Sequence, residues 1–215
     1  MRRRPIRPLP VRTLTALGCW VAGSAQAFSV GITPGVRALY LQVGVGQMTG
    51  GTFSSGTGVP GNNSTVNSVS TTVAANAIGS GSQTMATDST TTQSPYDNFT
   101  FCTITATAGQ VYVGGFYRTP GTGAAATLSV ATPASLLNAT SETLPFSSVS
   151  WTSSGLGDSG TTIPAGTFAG GTTQTLLSVS LNTWFESCLL FSYANAQFAP
   201  AGTFSGRATY TLIAP

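Results

Sequence analysis

The sequence predicts an all-β fold, a single antiparallel β-sandwich of about seven to ten strands. Three observations carry that expectation. Short runs rich in Thr, Val, Phe and Tyr alternate between apolar and polar positions with the period of two that a strand imposes. Glycine (26 residues) and proline (12 residues) punctuate those runs where turns are needed. Convincing amphipathic helices are absent. A chain of 215 residues is within the usual size of one all-β domain.

The first 27 residues read as a separate unit. Met1–Arg12 is rich in arginine and free of acids. Thr13–Gly23 is short and mostly apolar, and Ala25-Gln26-Ala27 supplies small residues on either side of Gln26. A charged region, an apolar region and an A-x-A site in that order describe a secretory signal peptide over residues 1–27. The apolar run is shorter than the roughly 20 residues of a membrane-spanning helix. Cleavage after Ala27 would leave a mature domain at residues 28–215 with no transmembrane helix, destined for the periplasm, the cell surface or secretion.

Strands follow in chain order. Phe28-Ser29-Val30-Gly31-Ile32 alternates and then breaks at Pro34-Gly35. Leu39, Leu41, Val43 and Val45 share one face, with Tyr40 and Gln42 on the other. From about 49 to 95 the texture changes to Ser, Thr, Gly and Asn, with Val66, Val69, Val73, Ile78 and Met85 as sparse apolar points. A structureless loop of that length is unusual in a compact domain, so short strands are expected there. Further strands are expected at Phe99–Thr105, Val111–Val113, Ala126–Val130, Leu176–Leu181 and Ser187–Tyr193. The segment Pro164–Gly170 echoes Pro200–Gly206, and each copy reads as a turn that launches a strand beginning Thr-Phe. The chain closes on Arg207–Ile213, with Ala208, Tyr210 and Leu212 facing one way.

Two cysteines, Cys102 and Cys188, lie beyond the leader, and Cys19 lies within it. In an exported chain a disulfide between the two is the default. Metal binding is the rival reading, and two Cys with no His argue against a zinc site. Both cysteines lie in strand-like runs, so a staple between strands, and between sheets, is expected.

Charge placement narrows function further. All eight basic residues are arginines, and five of them lie in the first twelve positions. Arg37, Arg118 and Arg207 remain against five acids, so the mature chain carries about −2 rather than the precursor's +3. Three scattered arginines are a poor supply for nucleic acid, which needs clustered cations. The absence of His and Lys removes triad, dyad and Schiff-base chemistry, and with Lys goes the phosphate-binding loop. Carboxylates are what remain, and Asp97, Glu142, Asp158 and Glu186 could supply a hydrolase pair. Their flanks carry no motif. The expectation is therefore a non-enzyme, with no catalytic, cofactor-binding or metal-ligating residues. Tyr96, Tyr112, Tyr117, Trp151 and Trp184 are the rings that could serve a carbohydrate- or surface-binding module, against the alternative that aromatic residues in strands are core.

The closing segment, Pro200-Ala201-Gly202-Thr203-Phe204 joined to Arg207-Ala208-Thr209-Tyr210-Thr211-Leu212, resembles the last strand of bacterial fimbrial subunits and of spore-coat-U-like secreted proteins. The resemblance implies an immunoglobulin-like or pilin-like sandwich and a structural or adhesive role in a fimbrium. It implies assembly by strand addition, with Ala208, Tyr210 and Leu212 offered to a periplasmic chaperone or another subunit. Phe28, Val30 and Ile32 would complete the neighbouring subunit. The chain departs from the fimbrial pattern at Ala214, where an aromatic residue is usual.

Overall fold

The computed structural model describes residues 32–47, 51–52, 67–96, 98–100, 102–105, 107–155 and 162–215. Residues 1–27, expected from the sequence to be a signal peptide, lie outside the described residues, as do Phe28 and Val30.

Fifteen strands occur among the described residues: β1 (Ala38–Val43), β2 (Gly46–Gln47), β3 (Gly51–Thr52), β4 (Val69–Ser70), β5 (Gln83–Thr84), β6 (Ala86–Thr87), β7 (Gln110–Arg118), β8 (Ala126–Ala131), β9 (Ser135–Leu137), β10 (Thr143–Pro145), β11 (Val149–Ser154), β12 (Gly166–Thr167), β13 (Thr173–Val179), β14 (Thr183–Tyr193) and β15 (Thr209–Ile213). Two single-turn 3-10 helices, Ala75–Ala77 and Phe146–Ser148, complete the secondary structure. The count exceeds the expected seven to ten because many elements are two- or three-residue pairings; seven strands reach five residues.

The larger sheet runs β12-β11-β14-β7-β1-β2, with β3 also on β1 and β5 also on β14. The smaller runs β13-β8-β15. All pairings are antiparallel. Both sheets feed one apolar core. Leu39, Leu41, Val111, Val113, Trp151, Phe185, Leu189 and Phe191 come from the larger sheet, and Leu128, Val130, Leu176, Val179 and Leu212 from the smaller. Period-two alternation places these residues inward and leaves their neighbours on the opposite face. The fold is thus all-β and antiparallel, as expected, with the core between two sheets.

The register shows why glycine stands where it does. Gly115 of β7 pairs with Leu41 of β1. A Cβ there would meet the Tyr40 carbonyl oxygen at 2.1 Å, so only glycine lets these strands approach. The echoed turns serve packing in two ways. In the first copy Gly166 lies under the Trp151 indole, whose Nε1 donates to the Pro164 carbonyl (2.8 Å), and Phe168 enters the core. In the second, Ser205 makes an isolated bridge to Leu137, and the strand begins only at Thr209.

The polar stretch does form short strands. Beyond the end of β7, β5 takes its place beside β14 at Ser192 and Tyr193. Buried Asn195 then ties the first 3-10 turn to the end of β14. Its Nδ2 donates to the Ala77 carbonyl (2.8 Å), and its Oδ1 accepts from the Gly79 amide (3.2 Å). Asp88 gathers Asn67 Nδ2 (2.9 Å), the Ser68 amide (2.8 Å) and Ser68 Oγ (2.6 Å), joining the ends of β4 and β6.

Two predictions follow from this packing. Gly115→Ala should lower the urea midpoint by an amount equivalent to roughly 1–3 kcal/mol. Gly121→Ala, with nothing within 4 Å of the added carbon, should leave it unchanged. The hydrogen bonds from Ser68 and Asn67 hold the Asp88 carboxyl below its ordinary 3.8. A depressed carboxyl stabilises the fold above its unfolded pKa and loses that contribution as pH falls through the folded one. NMR titration should place the Asp88 carboxyl under 3.8, and exchange protection of the Ser68 amide should persist below pH 3.8 until that lower titration is reached.

Candidate functional site

Alternation that points Phe185, Leu189 and Phe191 into the core points Trp184, Glu186 and Cys188 out of the other face of β14. On β7 the same parity turns Tyr112, Gly114 and Phe116 outward, and on β1 Tyr40 and Gln42. The registers Trp184↔Phe116, Phe116↔Tyr40, Glu186↔Gly114 and Cys188↔Tyr112 then bring them together. This outer face is largely buried as well. Glu186, Tyr112 and Cys188 are inaccessible, although none of them belongs to the inter-sheet core.

A short hairpin covers them. Gln93 and Thr100 form an antiparallel bridge, and the Ser94 amide donates to the Phe99 carbonyl (2.8 Å). Asn98 takes a left-handed conformation (φ 63°) that suits asparagine in a tight turn. Two pins hold the hairpin to the sheet. Ser94 Oγ donates to Glu186 Oε1 (2.5 Å), which also accepts from the Tyr112 hydroxyl (2.7 Å). Cys102 is bonded to Cys188, with Cα atoms 5.4 Å apart. Gly114 is required here, because the Tyr112 ring lies across it on the way to Glu186 and a Cβ would meet the phenol oxygen at 2.2 Å.

The disulfide thus joins the cysteines that the sequence singled out, but not as an inter-sheet staple. Cys102 lies outside any strand, in a stretch with isolated bridges at Thr100 and Ile104 in place of the expected strand. Its half of the link lies on the outer layer because Cys188 has outward parity.

Next to the hairpin lies an aromatic hollow of about 440 Å³ walled by Tyr40, Pro95, Tyr96, Phe116 and Trp184. Tyr40, Phe116 and Trp184 form a mutually stacked trio with centroids 5.5–5.9 Å apart. Tyr96, at the hairpin tip and 48% exposed, tilts over Trp184 at 5.2 Å. The Tyr40 hydroxyl donates to Gln42 Oε1 (2.7 Å), Gln42 Nε2 donates to the Gly44 carbonyl (2.9 Å), and burial pushes the Tyr40 phenol up.

Of the five rings considered from sequence, Tyr96 and Trp184 meet in this hollow. Tyr112 lies under the hairpin, and Tyr117 and Trp151 belong to the core. Tyr40 and Phe116 join them; alternation puts Tyr40 on the polar side of its strand, but no local pattern marks either ring as part of a site. Of the carboxylates, Glu186 anchors the hairpin. Glu142 closes an exposed turn by accepting from Asn138 Nδ2 (2.6 Å) and Thr140 Oγ1 (3.2 Å), while Asp97 and Asp158 lie outside the described residues. No three His, Cys, Asp or Glu side chains gather among the described residues. No helix among them is long and apolar enough to cross a membrane.

Of the candidate assembly residues, Ala208, Tyr210 and Leu212 do face one way, onto the core, and Ala214 continues the row. Ile32 is half-buried and outside any strand. Comparison with protein families, characterised proteins and solved structures finds no match.

The double variant Cys102→Ala/Cys188→Ala should lose at most about 4–5 kcal/mol, the chain-entropy value for a closure of this length. The loss should be local first. Proteolysis and amide exchange should open residues 92–105 while the Trp151 core keeps its protection.

Proposed function

We propose that this chain is an exported bacterial surface subunit, structural or adhesive and fimbria-like, that assembles by strand addition at β15. The observation that carries the reading is the state of the sheet edges. β15 pairs with β8 on one side only, and no backbone hydrogen bond reaches its other side among the described residues. Soluble proteins guard such edges with charge, proline, bulges or short strands. The opposite edge of the same sheet, β13, carries a bulge between Thr175 and Leu177. β2, β3 and β12, at the margins of the larger sheet, are two residues long. β15 reads Thr209-Tyr210-Thr211-Leu212-Ile213, without charge or proline, and leaves Ile213 56% exposed.

Such an edge suits the addition of a strand from a chaperone or a second copy. The arginine-rich leader, the disulfide and the low charge of the mature chain support the same reading, since weak net charge lowers the barrier to association. Phe28–Ile32 is the segment proposed to donate. The lack of imidazole and amine chemistry supports a role without catalysis.

The test uses the chain from Phe28 onward. Heating in mild detergent should leave a ladder of multimers. Thr211→Lys/Ile213→Lys, at exposed positions, should weaken assembly at least tenfold without changing the circular dichroism of the monomer. Deletion of Phe28–Ile32 should do the same. A strictly monomeric parent at high concentration, or a ladder untouched by both changes, would rule the reading out.

A further inference from the structure

We propose that Arg118 is a positioning residue for assembly. It holds the link between Phe28–Ile32 and β1 on the outer face of the larger sheet, so that this segment meets β15 of a second copy rather than its own. This rests on the strand-addition reading above, and adds to it what selects a neighbour over the chain itself.

The link is short and has few bonds. Residues 32–37 lie in no strand, and no backbone hydrogen bond from another segment reaches residues 32–36 among the described residues. Pro34 has no N–H to donate, and it keeps Thr33 extended. One side chain does reach the link. Arg118 Nε donates to the Val36 carbonyl (3.0 Å). The same side chain lies along Gly35, where a Cβ would stand 3.7 Å from Arg118 Cδ and Nε and 3.9 Å from Cζ. The planar guanidinium thus packs on the backbone that it binds, a hold that a lysine ammonium does not reproduce. Only three arginines lie beyond residue 12, and this one is used on a main-chain oxygen.

Parity sets the side on which the link is held. Tyr117 points into the core, so Arg118, like Phe116, projects from the outer face of β7. Ala38, the first residue of β1, pairs directly with Arg118. β15 belongs to the other sheet, which closes the inner face, and packed sheets lie about 10 Å apart. The four steps from Val36 back to Ile32 span at most about 14 Å when fully extended. A link anchored on the outer face must therefore round β1 and cross the thickness of the core before Ile32 arrives at β15 of the same chain. β15 of a second copy requires no such detour. Without Arg118 the link is free to take the inner route, and the chain can close on itself.

The test compares the chain from Phe28 onward with its Arg118→Ala variant. In a dilution series followed by sedimentation, Arg118→Ala should assemble at least tenfold more weakly than the parent. In its dilute monomer the segment should settle on its own β15, and the β15 amides that β8 leaves free should gain at least tenfold in exchange protection. Deletion of Phe28–Ile32 from Arg118→Ala should abolish that gain. Arg118→Lys, which keeps the charge and most of the stem, should behave as Arg118→Ala does and serves in its place if Arg118→Ala does not fold. Arg37→Ala, which removes the same charge beside the link, should match the parent in both measurements. Equal assembly by the parent and the Arg118 variants overturns the proposal. So does weaker assembly without added protection at β15, the result that a merely structural arginine gives. Both outcomes leave the strand-addition reading standing, whereas a parent that never assembles removes that reading and the proposal with it.

Discussion

The pairing of β14 with β7 is the constraint on which the molecule depends. From Thr183↔Tyr117 to Leu190↔Gln110 the two longest strands run in one unbroken register. A one-residue slip would exchange every inward side chain for an outward one. Phe185 and Leu189 would leave the core, and Glu186 and Cys188 would enter it. The core between the sheets and the polar cluster outside them are therefore two readings of one register. Glycines at 114 and 115 serve both sides of it. Gly115 lets β1 come close, and Gly114 leaves room for the Tyr112 ring.

From that pair the structure builds outward in layers. The smaller sheet closes the inner face with aliphatic residues. The 93–102 hairpin closes the outer face with polar and covalent pins. Two links pin the hairpin to the outer face: a buried carboxylate that accepts from hydroxyls of both hairpin and sheet, and a disulfide. Such a carboxylate is costly to desolvate unless it is hydrogen-bonded, and here the bonds come from both the sheet and its cover. Its chemistry is used for structure. The same cover sets Tyr96 against Trp184, so the aromatic hollow exists because the hairpin is pinned.

Much of the fold was legible in the residues. Alternation in Leu39–Val43, Ala126–Val130, Leu176–Val179 and Ser187–Tyr193 marked strands that are there. Ala208, Tyr210 and Leu212 were placed on one face for the same reason. The Phe99–Thr105 run failed as a strand because its ladder partners are largely absent; a link to Cys188 and isolated bridges replace them. The short pairings at β9 and β10 carry too few residues to show a period. The trio of Tyr40, Phe116 and Trp184 was half legible. Parity put Tyr40 outward, but only the order β14-β7-β1 makes the three strands neighbours.

The sequence by itself determined the all-β class, the pairing of its two later cysteines, the poverty in ionisable chemistry and the inward face of the closing strand. These follow from composition and from a period of two, which are local properties. Tertiary structure alone decided which face each cysteine occupies, which strands border the smaller sheet among the described residues, and which rings share a hollow. Those depend on register and strand order between segments far apart in the chain, where no local pattern reports who the neighbour will be.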